Sequence, residues 1–398
     1  MKQNAIAIVV PELLPVPPSQ GGAVEHWVHE LSKRLSGDRL SISIISRPSD
    51  SPGLPGVRYL SIPWSQAELA CQRIKTHTSR LNPLRHLAKI QNVWSYGRRV
   101  ASLLSGFNVI YLHNEPNLLL FIRKKPGQKL VLHMHNDHLS LTALRPLYRH
   151  LLHKADTILC VSEYIRNQAI RNFPEHASRI HTILNATDPA VFKPYGDDAR
   201  RQLADLLAFD PGRQYMLYVG RLTPVKGVHV LIEAFRLVHQ KMPETTLIIA
   251  GSAFFGGAAR TAYERKLAEL AAEASQAIVF TGFIAHEKLK YLYSAADLLI
   301  VPSIWQDPCP LVVLEGMASG TCVIASSVGG VPEILDTGHN GFLVEPNDPA
   351  SLAATMLDVL EHPDKLNAIG SAAREHVLAR FSWDRLIADV RQFLEPAI

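Results

Sequence analysis

Short apolar segments alternate with amphipathic segments along nearly the whole chain of 398 residues. The apolar segments are continuous runs of Val, Ile and Leu rather than runs with a polar residue at every second position. Such continuous runs are typical of strands buried on both faces of a parallel sheet. Parallel strands need crossover connections, and right-handed crossovers through helices produce a doubly wound sheet. The alternation therefore predicts an α/β fold.

The alternation occurs in two series. The predicted strands of the first series are 5–10, 40–46, 57–61, 109–113, 129–135, 157–161 and 181–184. Those of the second series are 215–220, 245–251, 278–281, 298–302, 322–326 and 341–343. The segment 188–212 is rich in proline and charge, which is typical of a connection. We therefore predict two doubly wound, Rossmann-like domains, 1–195 and 196–380, that face each other across a cleft and bind ligands at the carboxyl ends of their strands.

Composition and cysteine spacing limit the class of protein. The apolar fraction is 47% and the charged fraction 19%, which is a globular profile. The four cysteines are scattered singly, so neither a zinc ribbon nor a disulfide framework is predicted. The apolar run 5–10 is too short for a signal peptide, and no run reaches the roughly 18 apolar residues that a membrane span needs. We expect a cytoplasmic protein with reduced thiols that is not integral to a membrane.

Charge is distributed unevenly between the two halves. Residues 1–195 contain 24 Lys and Arg against 12 Asp and Glu, a net charge of +12, and the remainder contain 17 against 24, a net charge of −7. The basic half suits an anionic membrane surface, a phosphate-bearing acceptor or nucleic acid, of which we do not expect nucleic acid. In segment 71–99, cations are interspersed with apolar residues and Trp94. This pattern fits either a peripheral position on the inner face of the cytoplasmic membrane or a helix with one solvated face.

Two glycine-containing loops are candidate phosphate sites. Gly21 and Gly22 lie between the first strand and its helix, where backbone amides and the helix N-terminus favour an anion, although an ordinary βα loop has the same features. Arg221 and Lys226 lie between the strand 215–220 and the next helix. Because phosphates bind at strand ends of doubly wound sheets, we expect these two cations to hold a diphosphate rather than to be merely solvated.

Two carboxylates follow the predicted strand 298–302. Asp307 lies in the loop, and Glu315 lies in an otherwise apolar helix, where burial without a partner would be costly. A polyhydroxylated ligand such as a sugar or ribose would supply that partner, and a structural role for Glu315 is the alternative. Loop amides near the start of this helix would point at an anion. The donor-side residues predicted in this stretch are Cys309, Pro310, Leu311 and Val312.

Histidines and polar residues end two strands of the first series. His133 and His135 share one face of a strand, so a metal site is geometrically open, but no spacing is diagnostic and we predict none. A single imidazole, His135, facing the cleft is the favoured interpretation. We also expect a group of residues at the rim of the cleft on the acceptor side. For this group, acceptor binding and a structural role are equally open. Its residues are His113, Glu115, Asn136 and Asp137.

Taken together, these segments resemble glycosyltransferase family 4, whose members are retaining enzymes of GT-B architecture. The resemblance covers nearly the whole chain and is densest over 215–345. It is carried by Gly220-Arg221-Leu222 with Lys226-Gly227, by the acidic pair Asp307 and Glu315, and by Val161-Ser162-Glu163, Asn185-Ala186-Thr187-Asp188 and Gly329-Gly330-Val331-Pro332-Glu333.

The resemblance implies a set of catalytic and donor-binding roles. Arg221 and Lys226 would hold the donor diphosphate and stabilise its charge as it leaves. Glu315 would bind the ribose hydroxyls, and Asp307 the hydroxyls of the transferred sugar. His135 would lie near the donor sugar and the acceptor.

Other implied contacts lie further from the reacting bond. Gly21 and Gly22 would lie beside the donor phosphates, and the base would pack near Phe283 and Ile284. The C-terminal helix, within 381–398, would pack back on the first domain.

We therefore predict a metal-independent, retaining glycosyltransferase without a cofactor. It would move a sugar from a UDP- or GDP-linked donor to a glycan or lipid-linked acceptor, in surface polysaccharide or lipopolysaccharide biosynthesis. The alternatives are a nucleotide-sugar epimerase or phosphorylase on the same fold, and a non-catalytic nucleotide-sugar-binding module. The sequence does not identify the donor sugar, the base, the acceptor or the oligomeric state.

Overall fold

The computed structural model describes residues 4–19, 22–36, 40–77, 82–140, 142–252 and 261–395. The chain divides into two compact units, Met1–Ile183 with Ile387–Ile398, and Leu184–Leu386. Each unit has its own parallel sheet with helices between the strands, so the predicted α/β class with two doubly wound domains is confirmed.

The first unit is built on a parallel sheet with seven strands among its described residues, in the order β3-β2-β1-β4-β5-β6-β7. After β3 the chain returns to the other side of β1, so the strand order reverses between β1 and β4. In doubly wound sheets this reversal leaves a crevice outside the carboxyl ends of the two strands. The strands are β1 (Asn4–Val9), β2 (Leu40–Ser46), β3 (Val57–Ser61), β4 (Val109–His113), β5 (Lys129–Met134), β6 (Thr157–Cys160) and β7 (Ile180–Thr182).

The helices of this unit that precede β7 are α1 (Ala23–Leu35), α2 (Gln66–His77), α3 (Pro83–Leu103), α4 (Arg145–Leu151) and α5 (Glu163–Asn172). The sequence pattern predicts helices over 24–35, 83–104, 144–152 and 163–172 in this half of the chain, but it does not predict α2, whose first turn is held by tertiary contacts. Glu68 in its first turn is buried and forms ion pairs with Arg47 and Arg99. Burial alone would raise the pKa of Glu68, but hydrogen bonds from Arg47, from Ser65 and from Arg99 lower it to about 2.

The second unit repeats the plan on a sheet of six parallel strands among its described residues, in the order β10-β9-β8-β11-β12-β13. Here the order reverses between β8 and β11. The strands are β8 (Gln214–Val219), β9 (Thr245–Ala250), β10 (Ile278–Gly282), β11 (Leu298–Val301), β12 (Cys322–Ser326) and β13 (Phe342–Val344). The helices are α6 (Asp197–Gln202), α7 (Val228–Lys241), α8 (Ala262–Ala271), α9 (His286–Ala295), α10 (Leu311–Ala318), α11 (Pro349–Leu360), α12 (Pro363–Arg380) and α13 (Trp383–Leu394).

The division between the units falls earlier than the predicted residue 195, because the segment after Ile183 packs on the second unit. The backbone N–H of Tyr195 donates to the hydroxyl of Ser294 at 2.6 Å. The ring of Phe192 lies edge-on to that of Tyr293. The prolines of this segment thus belong to a connection that is folded against α9.

The end of α13 belongs to the first unit. The side-chain amide of Asn4 donates to the carbonyl of Leu394 at 3.3 Å, and the ring of Phe393 packs on His181. None of the helices in the described ranges combines the length and the apolar character that a membrane span requires.

Candidate functional site

The loop after β8 places a lysine at the reversal point of the second sheet. A short 3-10 turn, Pro224–Lys226, ends at Gly227, which has a φ of 69° and begins α7. A Cβ atom on Gly227 would lie 1.8 Å from the carbonyl oxygen of Pro302, just after β11. Only glycine fits this close approach. The glycine therefore joins the loops of two neighbouring strands and fixes the backbone beside Lys226.

Lys226 forms an ion pair with Asp307, through Nζ and Oδ2. The main chain of Asp307 is held by the turn after β12, because its carbonyl oxygen accepts the N–H of Gly330 at 2.9 Å. A Cβ on Gly329, whose φ is 58°, would lie 2.1 Å from that oxygen. The structure thus brings together a cation and a carboxylate that the sequence analysis predicted separately. Both side chains are only partly exposed, which strengthens the pair relative to a surface ion pair.

Glu315 lies on α10, and its side chain is 8% exposed. The hydroxyl of Tyr293 donates to Oε2 at 2.8 Å, and His286 Nε2 lies 3.3 Å from Oε1. Burial and then the Glu315 charge raise the pKa of Tyr293 well above its ordinary value, so the phenol remains a donor. Protein groups from α9 therefore supply partners that the sequence analysis assigned to a ligand. A carboxylate retains further lone pairs for a ligand hydroxyl after two such bonds.

Tyr293 and His286 are absent from the predicted site. Their spacing of seven residues puts both on one face of α9, about two helical turns apart. That spacing is the only signal in the sequence, and it does not show which helix the face contacts.

Phe283 and Ile284 line a cavity of about 150 Å³ at the carboxyl ends of β8, β9 and β10. The main chains of two loops that line this cavity pack closely, since a Cβ on Gly251 would lie 1.9 Å from the carbonyl oxygen of Gly220. Arg221, whose side chain is exposed, lines the same cavity. The remaining lining residues are Val219, Gly220, Ala250, Gly251, Ser252 and Leu289. The structure thus unites Arg221 with the two residues predicted to contact a base.

The start of α10 carries the other predicted donor-side residues. Pro310 is the N-cap, so Leu311 and Val312 form the first turn. The carbonyl oxygen of Cys309 accepts a hydrogen bond from the Asn185 side chain at 3.3 Å. Burial raises the pKa of the Cys309 thiol to about 12, so it is a neutral thiol and not a nucleophile at neutral pH.

In the first unit, three histidines form a buried cluster where β4 and β5 end. His113 Nδ1 lies 3.0 Å from His135 Nε2, and His133 Nδ1 lies 2.7 Å from the hydroxyl of Tyr111. The ring of Trp27, on α1, packs against all three imidazoles. The sequence analysis favoured a single imidazole at this strand end, and the structure instead places His135 in a buried cluster of three histidines.

Burial decides the charge of this cluster. It lowers the pKa of His135 to about 3, and it lowers the pKa of His113 and His133 well below the ordinary value. All three imidazoles are therefore neutral at physiological pH. One ring nitrogen from each histidine lies within 4.8 Å of the corresponding nitrogens of the other two. Imidazole nitrogens are ligands that transition metals bind. The expectation of no metal stays a prediction.

Of the residues predicted to face an acceptor, His113 belongs to the histidine cluster, and Asn136 and Asp137 follow it in the loop after β5. The Asn114 side chain accepts the backbone N–H groups of His135 and Asn136, both at 3.0 Å. The carbonyl of Asp137 accepts the N–H of Ser140 at 2.8 Å. The bonds to Asn114 hold the loop after β5 against the loop after β4.

Glu115, in the loop after β4, is an unusual carboxyl group. Burial, and then the nearby charge of Glu12, raise its pKa to about 7. The Asn117 side chain donates to its Oε1 at 2.6 Å. A carboxyl group that is half protonated near neutral pH can both donate and accept hydrogen bonds.

Gly22 caps α1 with a φ of 110°. A Cβ there would lie 2.2 Å from Oε2 of Glu25, so the carboxyl group of Glu25 occupies the space above the glycine. Burial raises the pKa of Glu25 to about 7. Gly21 lies outside the described residues.

Two family models match successive parts of the chain. The model Glycosyltransferase Family 4 matches 21–191, and the model Glycosyl transferases group 1 matches 200–376. Together they cover strands β2 to β13 and most helices of both units.

Individual proteins match over nearly the full length. The spore coat protein SA of Bacillus subtilis is 24% identical over 98% of this chain and 99% of that protein. The lipopolysaccharide 1,2-N-acetylglucosaminetransferase of Salmonella typhimurium is 26% identical over 96% of this chain and 95% of that enzyme.

Among solved structures, the Anabaena protein HepE in complex with UDP and glucose superposes with a TM-score of 0.73, at 21% identity and 98% coverage of both chains. This likeness confirms the predicted GT-B class of two Rossmann-like domains. The matched models, the full-length relatives and the shared fold agree with the motifs at 220–227 and 307–315. The chain belongs to glycosyltransferase family 4 and is a glycosyltransferase.

Proposed function

We propose that the protein moves a sugar from a nucleotide-sugar donor, bound in the second unit, to a glycan or lipid-linked acceptor. The observation that carries the proposal is the Lys226–Asp307 ion pair at the reversal point between β8 and β11. Ligands of doubly wound sheets bind at such points. The structurally similar HepE was solved with UDP bound, and this supports a nucleotide donor for this chain as well.

The diphosphate would be held by Arg221 and Lys226. When the bond between the sugar and the diphosphate breaks, negative charge accumulates on the leaving phosphate. Fixed cations stabilise that charge without reorganisation at the moment of reaction. We propose that these two side chains take the place of a divalent metal and that no cofactor is needed.

Around the diphosphate, separate groups would bind the two ends of the donor. The base would enter the cavity beside Phe283 and Ile284. The ribose hydroxyls would donate to the Glu315 carboxylate, which Tyr293 and His286 hold in place. Asp307 would accept from hydroxyls of the transferred sugar while it orients Lys226. This arrangement suits a UDP- or GDP-linked donor.

The acceptor would use the first unit, where the neutral His135 and the partly protonated Glu115 offer hydrogen bonds to hydroxyls. The resemblance to the family supports retention of the anomeric configuration. The Salmonella relative acts on lipopolysaccharide by its name, and this supports a role in lipopolysaccharide or surface polysaccharide synthesis. The four cysteines are free thiols, which suits a cytoplasmic location.

A thermal-shift panel of UDP- and GDP-sugars, recorded with and without EDTA, tests the donor site. Arg221→Ala is compared with Lys241→Ala, which removes an exposed cation at the far end of α7. We expect one donor to stabilise the wild type and Lys241→Ala, with a much smaller shift for Arg221→Ala and no effect of EDTA. Failure of every nucleotide sugar to stabilise the wild type would contradict the proposal.

Activity separates transfer from the other reactions of the same fold. A transferase releases the nucleoside diphosphate faster when an acceptor is added. An epimerase converts the donor alone, and a phosphorylase needs free phosphate. A donor that binds but is neither transferred nor hydrolysed with any acceptor would indicate a binding module.

A further inference from the structure

Helix α3 has apolar residues on two opposite faces. One face packs into the first unit, where Ala88, Val93, Tyr96 and Val100 are buried. The hydroxyl of Tyr96 donates to the carbonyl of Val10 at 3.1 Å, which ties this face to the end of β1. The inward face therefore accounts for the position of the helix in the fold.

The outward face of α3 is also apolar, and it remains exposed in the part of the chain that the structure describes. Leu84, Leu87, Ile90 and Trp94 are 55%, 61%, 65% and 46% exposed. Their spacing of three, three and four residues keeps them on one side of the helix, along about 15 Å of its length. Isolated exposed leucines are common, but a contiguous row of large apolar side chains on a surface indicates a binding face.

Positive charge surrounds this row. Residues 69–114 contain no Asp or Glu, but they contain seven Lys and Arg residues. Lys89 and Arg98 are exposed on α3 itself, and the guanidinium of Arg98 lies 4.7 Å from the centre of the Trp94 ring. Arg99 is on the same helix, but its guanidinium forms an ion pair with the buried Glu68. The exposed cations thus flank the apolar row.

We propose that this outward face of α3 docks on the surface of an anionic lipid bilayer. Leu84, Leu87 and Ile90 would enter the boundary between headgroups and acyl chains, and Trp94 would lie at headgroup level. Lys89 and Arg98 would contact the anionic headgroups. An anionic bilayer is the occupant that matches both features, since it offers acyl chains to the row and negative charge to its rim.

The proposal is independent of the donor site. It concerns the side of α3 that faces away from the first unit's core, whereas the proposed contacts to the base, the ribose and the diphosphate through Arg221 and Lys226 lie in the second unit. Docking on an anionic bilayer would also explain why the first half of the chain is basic. It would bring the first unit to a surface that presents a membrane-bound acceptor. Donor binding and lipid binding are therefore separable by experiment.

Co-sedimentation with vesicles of phosphatidylglycerol and phosphatidylcholine, against phosphatidylcholine alone, tests the proposal. The variant L87E/I90E places charge on the outward face. The matched control L237E/L378E changes two leucines of the second unit that are 43% and 47% exposed. A second variant, K89E/R98E, reverses the flanking charge.

We expect the wild type and L237E/L378E to bind the anionic vesicles, more weakly at high salt, and to prefer them to neutral vesicles. We expect L87E/I90E to lose at least about tenfold in affinity, and K89E/R98E to lose about fivefold for each cation removed. Absence of wild-type binding, equal binding of both vesicle types, or wild-type affinity of L87E/I90E would overturn the proposal.

Two further readouts keep the result interpretable. A far-UV circular dichroism spectrum and a melting temperature that match the wild type show that L87E/I90E is folded. Quenching by brominated phosphatidylglycerol, compared between the wild type and Trp94→Phe, reports on insertion without any charged substitution. We expect a strong quenching component that Trp94→Phe removes, and equal quenching of the two proteins would contradict insertion.

Discussion

Lys226 and Asp307, which are 81 residues apart in the sequence, form an ion pair where the order of strands reverses between β8 and β11. Two glycines hold the pair, because Gly227 approaches the carbonyl of Pro302 and Gly329 approaches that of Asp307. A diphosphate at this point would compete with Asp307 for the ammonium group. Asp307 therefore both orients Lys226 and weakens its attraction for phosphate.

This competition predicts opposite effects of Asp307→Asn on binding and on turnover. Removing the carboxylate charge frees Lys226, so the affinity for the nucleoside diphosphate is expected to stay equal or to rise by up to about tenfold. The rate of sugar transfer is expected to fall by at least about tenfold, because the sugar loses its carboxylate partner. Titration calorimetry gives the first quantity and initial rates give the second. A loss of diphosphate affinity would contradict the competition.

The contact between Tyr293 and Glu315 predicts the effects of two substitutions, one at each residue. Tyr293→Phe removes one donor from a buried carboxylate and is expected to cost about 1–3 kcal/mol of unfolding free energy, together with weaker donor binding. Glu315→Gln keeps the shape but removes the charge, and it is expected to weaken the intact donor more than a donor lacking the ribose hydroxyls. Equal weakening of both donors would show that Glu315 is structural.

Gly227 predicts a large effect of a single methyl group. Gly227→Ala combines a positive φ with a Cβ 1.8 Å from the Pro302 carbonyl oxygen, so the loop must move. We expect it to lower the unfolding free energy by about 2–4 kcal/mol. Gly338→Ala is the matched control, since Gly338 has a φ of 81° but no atom within 4 Å of the added Cβ. It is expected to cost about 1 kcal/mol, and an equal cost in the two variants would contradict the close approach.

Glu25 predicts a dependence of stability on pH. Its pKa is raised to about 7 in the folded protein by burial, from an ordinary value of 4.5. The folded state therefore keeps a proton that the unfolded state loses, so the contribution to stability is full below 4.5 and falls as pH rises through 7. The total loss is about 3 kcal/mol at most.

Glu25→Gln removes this titration. We expect the unfolding free energy of Glu25→Gln, relative to that of the wild type, to be higher at about pH 8 than at about pH 5. Chemical unfolding of both proteins at the two pH values measures it. Glu115 titrates in the same range but is present in both proteins, so its contribution cancels. Glu269→Gln, on the exposed face of α8, is expected to leave the pH dependence unchanged. The same pH dependence in Glu25→Gln and the wild type would show that Glu25 is ionised in the fold.

Much of the fold was predictable from local sequence, because strands buried on both faces must be apolar throughout. The strand predicted at 109–113 is β4 with the same bounds, and that predicted at 322–326 is β12. Elements that depend on partners elsewhere in the chain were missed. Helix α2 is an example, since its buried Glu68 needs Arg47 and Arg99.

The site was predictable in its residues but not in its contacts. Arg221, Lys226 and Asp307 all follow strands, and carboxyl ends of parallel strands meet at one edge of a sheet. The pairing of Lys226 with Asp307, and the contact of Glu315 with Tyr293, depend on side-chain directions that spacing does not give. Their catalytic roles stay predictions.

If Lys226 and Arg221 hold a diphosphate, removing either cation weakens the binding of a nucleoside diphosphate more than that of the nucleoside alone. Calorimetry gives the affinity of uridine and UDP, or guanosine and GDP, for the wild type, Lys226→Ala and Arg221→Ala. We expect both variants to bind the diphosphate at least about tenfold more weakly, Lys226→Ala to bind the nucleoside as the wild type does, and Arg221→Ala, whose side chain also lines the base cavity, to lose less affinity for the nucleoside than for the diphosphate. Unchanged diphosphate affinity in both variants, or an equal loss for nucleoside and diphosphate, would contradict this expectation.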